Sequence, residues 1–323
     1  MPRQPLQRSL PAWFRLGVAT VSALAGFLAQ AGEPPTMVPL QVAPDAWYVQ
    51  GLPTQGTSAN QNFVSNAGFV VTGQGVVVID ALGSPVLAQR LLDQIRAITP
   101  QPVTHVIVTH YHPDHFYGLQ TFKAMGARII AHRAARDYLQ SDGAQLRLQT
   151  ARQDMAPWVN GQTRLVEADQ WLDREQLLTV GGVQFQIKPM GPAHTPEDLV
   201  VYLPAKKLLF TGDLVFRNRL PFVGQADSGR WLKALDALLT FDATTIVPGH
   251  GPASTQGHAD LQFTRDYLRH LRATMGQAAR NMEPFEAAYQ GADWRLFEAL
   301  PMFALVNRSN AYNTYLLMER EPP

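Results

Sequence analysis

Cysteine is absent from the 323 residues. Disulfides, thiolate nucleophiles, Cys-type zinc fingers, iron–sulfur clusters and cysteine-linked lipids are therefore excluded. Any metal held here must be held by nitrogen and oxygen. A strong charge of one sign is missing too: 27 Lys and Arg against 26 Asp and Glu leave +1, too little to point to nucleic acid as a partner. Long apolar runs are also lacking. The run LGVATVSALAGFL at 16–28 has 13 residues, where a bilayer span takes about 18 or more, so no stable membrane insertion is expected. No internal repeat or low-complexity segment stands out. What the chain does have is 46% hydrophobic and 16% charged residues, the balance of a globular protein with an ample core.

Residues 1–31 carry Arg3, Arg8 and Arg15 with no acidic residue, then that apolar run, then Ala29-Gln30-Ala31. A basic start, a short apolar centre and a small-x-small ending form the pattern of a secretory signal peptide. The other reading of the pattern is an uncleaved anchor. The expected location is outside the cytoplasm, in the periplasm.

After a Pro-containing linker at 32–44, short β-rich runs alternate with helical ones, which indicates an α/β arrangement. NAGFVV and GVVVID flank a Thr-Gly-Gln turn and read as a hairpin. VLAQRLLDQIRAIT carries Leu87, Leu91 and Ile95 at helical spacing. Residues 141–173 signal only loops with some helix. Polar residues recur at strand ends: Asp80 closes GVVVID, His110 closes HVIVTH, and His194 follows VQFQIKPMGPA. Asp213 closes LLFTGD and His250 closes TTIVPGH. The carboxyl ends of strands are where α/β sheets place their chemistry, and five such coincidences point to one site.

The densest cluster is THYHPDH, residues 109–115. His110 and His112, two apart in extended chain, face the same side and can grip one ion. Pro113 suits the first position of a following helix. Asp114 and His115 are adjacent, so they leave in other directions and can reach a second ion. An isolated histidine is usually structural; three with an aspartate in six residues are not.

THYHPDHFYG resembles the His-x-His-x-Asp-His signature of the metallo-β-lactamase superfamily, and GPAHTPEDLVVY, LLFTGDLVF and IVPGHG resemble its later metal-binding segments in order. The resemblance runs from about residue 45 to 252. It implies an αββα sandwich of two sheets flanked by helices, occupying 32–258, with a helical C-terminal extension at 259–323 packed on it. It further implies that His110, His112 and His194 hold a first metal and that Asp114, His115 and His250 hold a second. Asp213 would then bridge the two and Asp80 orient ligands from behind them. An all-nitrogen-and-oxygen set suits zinc, two ions per chain, and also accommodates iron or manganese. Zinc brings the pKa of water from about 15.7 to near 7, so the implied chemistry is attack by a metal-bound hydroxide on an ester, thioester, lactone or amide. Asp114 is expected to orient that hydroxide as well as to ligate.

The absence of cysteine departs from the β-lactamases that use a thiolate ligand, and a bridging Asp213 is similar instead to the hydrolase branch that includes glyoxalase II. The leader, RNRLPFVGQADSGRWL and NAYNTYLLMER resemble exported members associated with sulfur oxidation or quinoprotein dehydrogenases. Substrate contacts are less defined. Arg217 and Arg219 could bind an anionic group of a small-molecule substrate or form a solvated loop, and Tyr111 could line the pocket or merely pack. His105, His132, His258 and His270 fall outside every motif and read as structural or surface residues. The tail, helical around DLQFTRDYLRHLRATM, could bind substrate, cap the sandwich or meet a partner subunit, and capping is the expected role. The resemblance also admits a mononuclear iron dioxygenase acting on persulfides, for which two His and one carboxylate suffice; a third reading is a non-catalytic periplasmic protein that binds metal or a partner. Oligomeric state leaves no mark in the sequence.

Overall fold

In the computed structural model, Met1 and residues 34–321 are described; the leader expected at 1–31 lies outside them apart from Met1. The first sheet holds seven strands in chain order: β1 (Leu40–Ala43), β2 (Ala46–Val49), β3 (Ala67–Val71), β4 (Val76–Ile79), β5 (Val103–Ile107), β6 (Arg128–His132) and β7 (Gln170–Leu172). Its first four strands are antiparallel neighbours, and β4 to β7 run parallel. The second sheet holds β8 (Gln176–Val180), β9 (Val183–Pro189), β10 (Leu199–Leu203), β11 (Leu208–Phe210) and β12 (Thr245–Val247). Their spatial order is β12-β11-β10-β9-β8, antiparallel throughout except for the parallel β11–β12 pair.

Alternation along the strands builds the layers. In β4, Val77 and Ile79 join Val70, Ile107 and Ile130 against Phe185, Ile187, Val201 and Phe210 of the second sheet, forming the central core. Val76 and Val78 face the other way, into a layer with α1 (Pro85–Ile98) and, beyond α2 (Pro113–Phe116), α3 (Leu119–Ala124). Two-residue periodicity thus sends each strand's side chains to two different cores. Helix α1 starts one residue ahead of the expected run: Ser84 accepts from the Leu87 amide at 3.2 Å, Pro85 opens the first turn, and Leu87, Leu91 and Ile95 are buried. Each such leucine contributes about 1.5–3 kcal/mol by leaving water.

Past β6 come α4 (Ala135–Leu139) and α5 (Asp142–Asp154). The latter is a 13-residue helix capped by the Ser141 hydroxyl, where the sequence signalled only weak order. Its apolar stripe is thin, with only Ala144 and Leu148 buried.

The outer face of the second sheet is covered by α6 (Ser228–Leu238), α7 (Gly257–Arg280), α8 (Phe285–Gly291) and α9 (Phe303–Arg320). Trp231, Leu235, Tyr267, Leu268, Leu271 and Tyr315 pack there with Val200 and Leu209. The result is the four-layer αββα sandwich with a helical C-terminal region. Among the described residues no helix is long and apolar enough to cross a membrane.

Candidate metal centre

Strand pairing delivers the site. Phe210 of β11 pairs with Val247 of β12, and Asp213 and His250 each lie three residues beyond that pair. Ile79 of β4 pairs with Ile107 of β5, which places Asp80 and His110 just past the same edge. The turn after β9 brings His194. The β11 and β12 turns are tied together by Gly249 N–H donating to Gly212 O at 2.8 Å. Gly249 is irreplaceable on geometric grounds: a Cβ there would sit 2.0 Å from Asp213 Oδ1.

The donor atoms form two groups. His110, His112, His194 and Asp213 make one; Asp114, His115 and His250 make the other; within each, one donor atom per residue lies within 4.8 Å of the rest. Asp213 joins them. Its carboxylate lies 3.7 Å from His110 Nε2, 3.1 Å from His115 Nε2, 3.4 Å from His194 Nε2 and 3.3 Å from His250 Nε2. Asp114 Oδ2 is 3.4 Å from His250 Nε2 and 3.7 Å from His115 Nε2. His194 Nε2 and His112 Nδ1 face each other at 3.0 Å.

Contacts behind the ligands orient them. The Asp80 carboxylate accepts from the Thr109 amide and hydroxyl, each at 2.8 Å, and lies 2.9 Å from His115 Nδ1. His115 Nδ1–H donates to Asp80, so Nε2 is the atom aimed at Asp213; burial alone would lower this imidazole, but Asp213, Asp114 and Asp80 outweigh that and hold it well above its ordinary value. His250 Nδ1 lies 2.7 Å from the Val64 carbonyl, which can only accept, and 3.1 Å from Arg219 Nη1, which can only donate; donation along the shorter contact presents the Nε2 lone pair. Asn66 supports the same loop, donating to Pro248 O at 2.8 Å and Gly251 O at 2.7 Å. The Trp231 ring packs against His194 at 5.0 Å.

The electrostatics suit a cation. Burial pushes His112 down to about 3 and His194 down to about 4, and lowers His110 well below its ordinary value, so these imidazoles are neutral, as ligands must be. Burial alone would raise Asp213, but His250, His115 and His110 around it outweigh that and hold it well below the carboxylate range. His110 Nε2, His115 Nε2 and Asp213 Oδ1 are buried without a hydrogen-bond partner among the described residues. Such orphans cost about 1–3 kcal/mol each, and bound cations would satisfy them together. The residues fit one or two metal ions.

A cavity of about 440 Å³ opens onto His112, Asp114, Asp213 and His250. Arg219 lines it, 5% exposed, with Nη1 3.1 Å from His250 Nδ1. Two expected substrate contacts are placed elsewhere. Arg217 donates to Asp260 at 2.6 Å and to the Pro252 and Ala253 carbonyls; it braces the loop after His250 and does not line this cavity. Tyr111 is 1% exposed against Phe116 and Trp171, its hydroxyl 3.4 Å from Val166 O; it packs. His105, His132 and His270 stand outside the cluster, and the His258 side chain lies outside the described residues. The sequence reading missed Arg147, Phe222 and the start of α9 (Met302, Leu305, Val306, Ser309), all of which line the cavity. Arg147 and the start of α9 lie far from the metal-binding segments, and Phe222, although it falls within RNRLPFVGQADSGRWL, carries no ligand signal of its own.

The metallo-beta-lactamase superfamily model matches residues 61–250, from just before β3 to the last histidine of the cluster. The chain belongs to that superfamily. Metallo-beta-lactamase IND-1 of Chryseobacterium indologenes is 26% identical over 212 residues, 64% of this chain and 80% of that protein. The linear primary-alkylsulfatase of a Pseudomonas strain is 24% identical over 234 residues, 61% of this chain but only 44% of that longer protein. Among solved structures, a metallo-beta-lactamase from Pontibacter korlensis has a TM-score of 0.57 at 24% identity, covering 72% of this chain and 99% of that one. The sec-alkylsulfatase Pisa1 from Pseudomonas sp. reaches 0.67 at 18% identity, covering 87% of this chain and 50% of that one. At that identity the likeness concerns fold alone. Its coverage exceeds what residues 1–250 hold, so the likeness to that structure extends into the C-terminal helices. The protein is a metal-dependent hydrolase of the metallo-beta-lactamase superfamily.

Proposed function

We propose that this protein is an exported dinuclear zinc hydrolase acting on a small-molecule ester, thioester, lactone or amide. The observation that carries the reading is Asp213, one carboxylate within 3.1–3.7 Å of imidazoles from both donor groups. In this reading His110, His112 and His194 would hold one ion and Asp114, His115 and His250 the other, with Asp213 within reach of both groups. Zinc in these positions supplies Lewis acidity and brings the pKa of water from about 15.7 to near 7. The chain's own residues do the rest. Asp80 keeps His115 in the tautomer that presents Nε2, and the Val64 carbonyl does the same for His250. Asp114 is side-chain accessible at 20%, so it can hold a proton-bearing group at the cavity floor while ligating. Arg219, charged and facing the cavity, neutralises an anionic group of the substrate.

A mononuclear iron dioxygenase would use only part of this set and would leave Asp114, His115 and His250 converging on Asp213 without a task. Export is supported by the pattern of residues 1–31, and the division into a 32–258 sandwich and a 259–323 extension follows the span of the motifs. Hydrolysis of a thioester and lactone panel tests the reading. Chelator should abolish it and zinc restore it; turnover that ignores chelator would contradict it.

A further inference from the structure

The cavity combines two chemistries beside the metal ligands. Arg147 and Arg219 line it, and among the described residues Arg147 pairs with no carboxylate while Arg219 Nε has no hydrogen-bond partner. The only acids in its lining are the ligands Asp114 and Asp213. Thr54, Gln55 and Ser309 add neutral polar groups to the wall, and one side of it is apolar. Phe222 and, from the start of α9, Met302, Leu305 and Val306 face the same space. Leu305 is 60% exposed and Phe222 37%, large apolar groups left in water at the mouth of a polar site, where their exposure has no structural use.

That wall is built rigidly. Met302 holds φ at +73°, a left-handed conformation that L side chains rarely adopt and that persists where surroundings enforce it. The Leu220 amide donates to Pro301 O at 2.9 Å. Asn310 of α9 accepts from the Val223 amide at 2.9 Å and donates to Pro221 O at 2.8 Å and to the Tyr267 hydroxyl at 2.9 Å. The loop bearing Arg219 and Phe222 is thus fastened to the helix bearing Met302 and Leu305. Cation and apolar wall come as one preorganised piece.

We propose that the first turn of α9, with Phe222, seats an apolar acyl or alkyl chain while Arg147 and Arg219 take the anionic group of the same molecule: the substrate is an amphiphilic anion. The inference rests on the hydrolase reading for the reaction, but the seat itself requires only binding. Charge complementarity sets the occupant, since a neutral lipid leaves two arginines unused and a small polar anion leaves the apolar wall wet.

The test uses unreactive probes, ethane-, hexane- and decanesulfonate, titrated calorimetrically into the zinc-loaded full chain. Wild type should bind more tightly by up to about threefold per added methylene until the wall is covered. Leu305→Gln keeps helix propensity at an exposed position and should abolish most of that gain while leaving ethanesulfonate unchanged. Arg147→Gln should weaken all three by the same factor. Equal affinity for ethane- and decanesulfonate, or a chain-length gain that survives Leu305→Gln, would overturn the seat. Ester hydrolysis without chain-length preference would overturn the seat and leave the hydrolase reading intact. Chain-dependent binding with no hydrolysis of any ester would do the reverse.

Discussion

The two sheets furnish the cluster in opposite ways. The seven-stranded sheet supplies four donors, His110, His112, Asp114 and His115, from six consecutive residues past β5. The five-stranded sheet supplies one donor from each of three separate turns: His194, Asp213 and His250. In the first set the covalent chain keeps the ligands together; in the second, strand register and tertiary contacts such as Gly212–Gly249 do. A local motif can therefore be present in a chain whose site is incomplete. Completion depends on the second sheet, and its decisive member is Asp213, whose carboxylate lies within 3.1–3.7 Å of imidazole nitrogens of both groups.

The difference can be broken at its strongest point. Asp213→Ala should leave the first-sheet donors in place, lower bound zinc from two per chain towards one, and cut turnover by about 10³-fold. Wild-type metal content and rate in that variant would remove the bridge from the account. A smaller loss is expected behind the first set: Asp80→Asn keeps the shape but weakens the hold on His115, reducing metal affinity by about 10–100-fold. Competition with a chromogenic chelator reads this directly, and unchanged affinity would mean Thr109 alone positions the loop. Smallest for catalysis is Arg217→Ala, which removes the Asp260 pair and two carbonyl contacts. It should cost about 2 kcal/mol of stability in denaturant unfolding with kcat within about twofold, whereas a collapse of kcat with normal stability would return Arg217 to substrate binding.

Much of this arrangement was legible in the chain itself. The Ser84-Pro85 start of α1, the Thr72–Gly75 hairpin and the polar residues closing β4, β5, β11 and β12 follow from local rules that the fold does not override. The three-His-and-Asp stretch announces metal because its spacing alone brings donors together. The arginines show where local reading ends. Arg217 and Arg219 are two apart, and an extended segment would send them the same way, but Asn218 at φ +53° turns one to Asp260 and the other to the cavity. Tyr111 sits between two cluster histidines and faces the first sheet's outer core, as alternation past a strand allows. The α9 wall was invisible for a different reason: Met302 and Leu305 line one cavity with His112 across some 190 positions of sequence, and no periodicity encodes such a neighbourhood. Helices α7 to α9 pack with the outer face of the second sheet, and the start of α9 also reaches the cavity.

The central claim is that Asp213 joins two metal positions into one site. Elemental analysis of the full protein, purified without chelator, tests it most directly. The account predicts about two zinc ions per chain; one iron per chain with no zinc would contradict it and favour mononuclear oxygen chemistry.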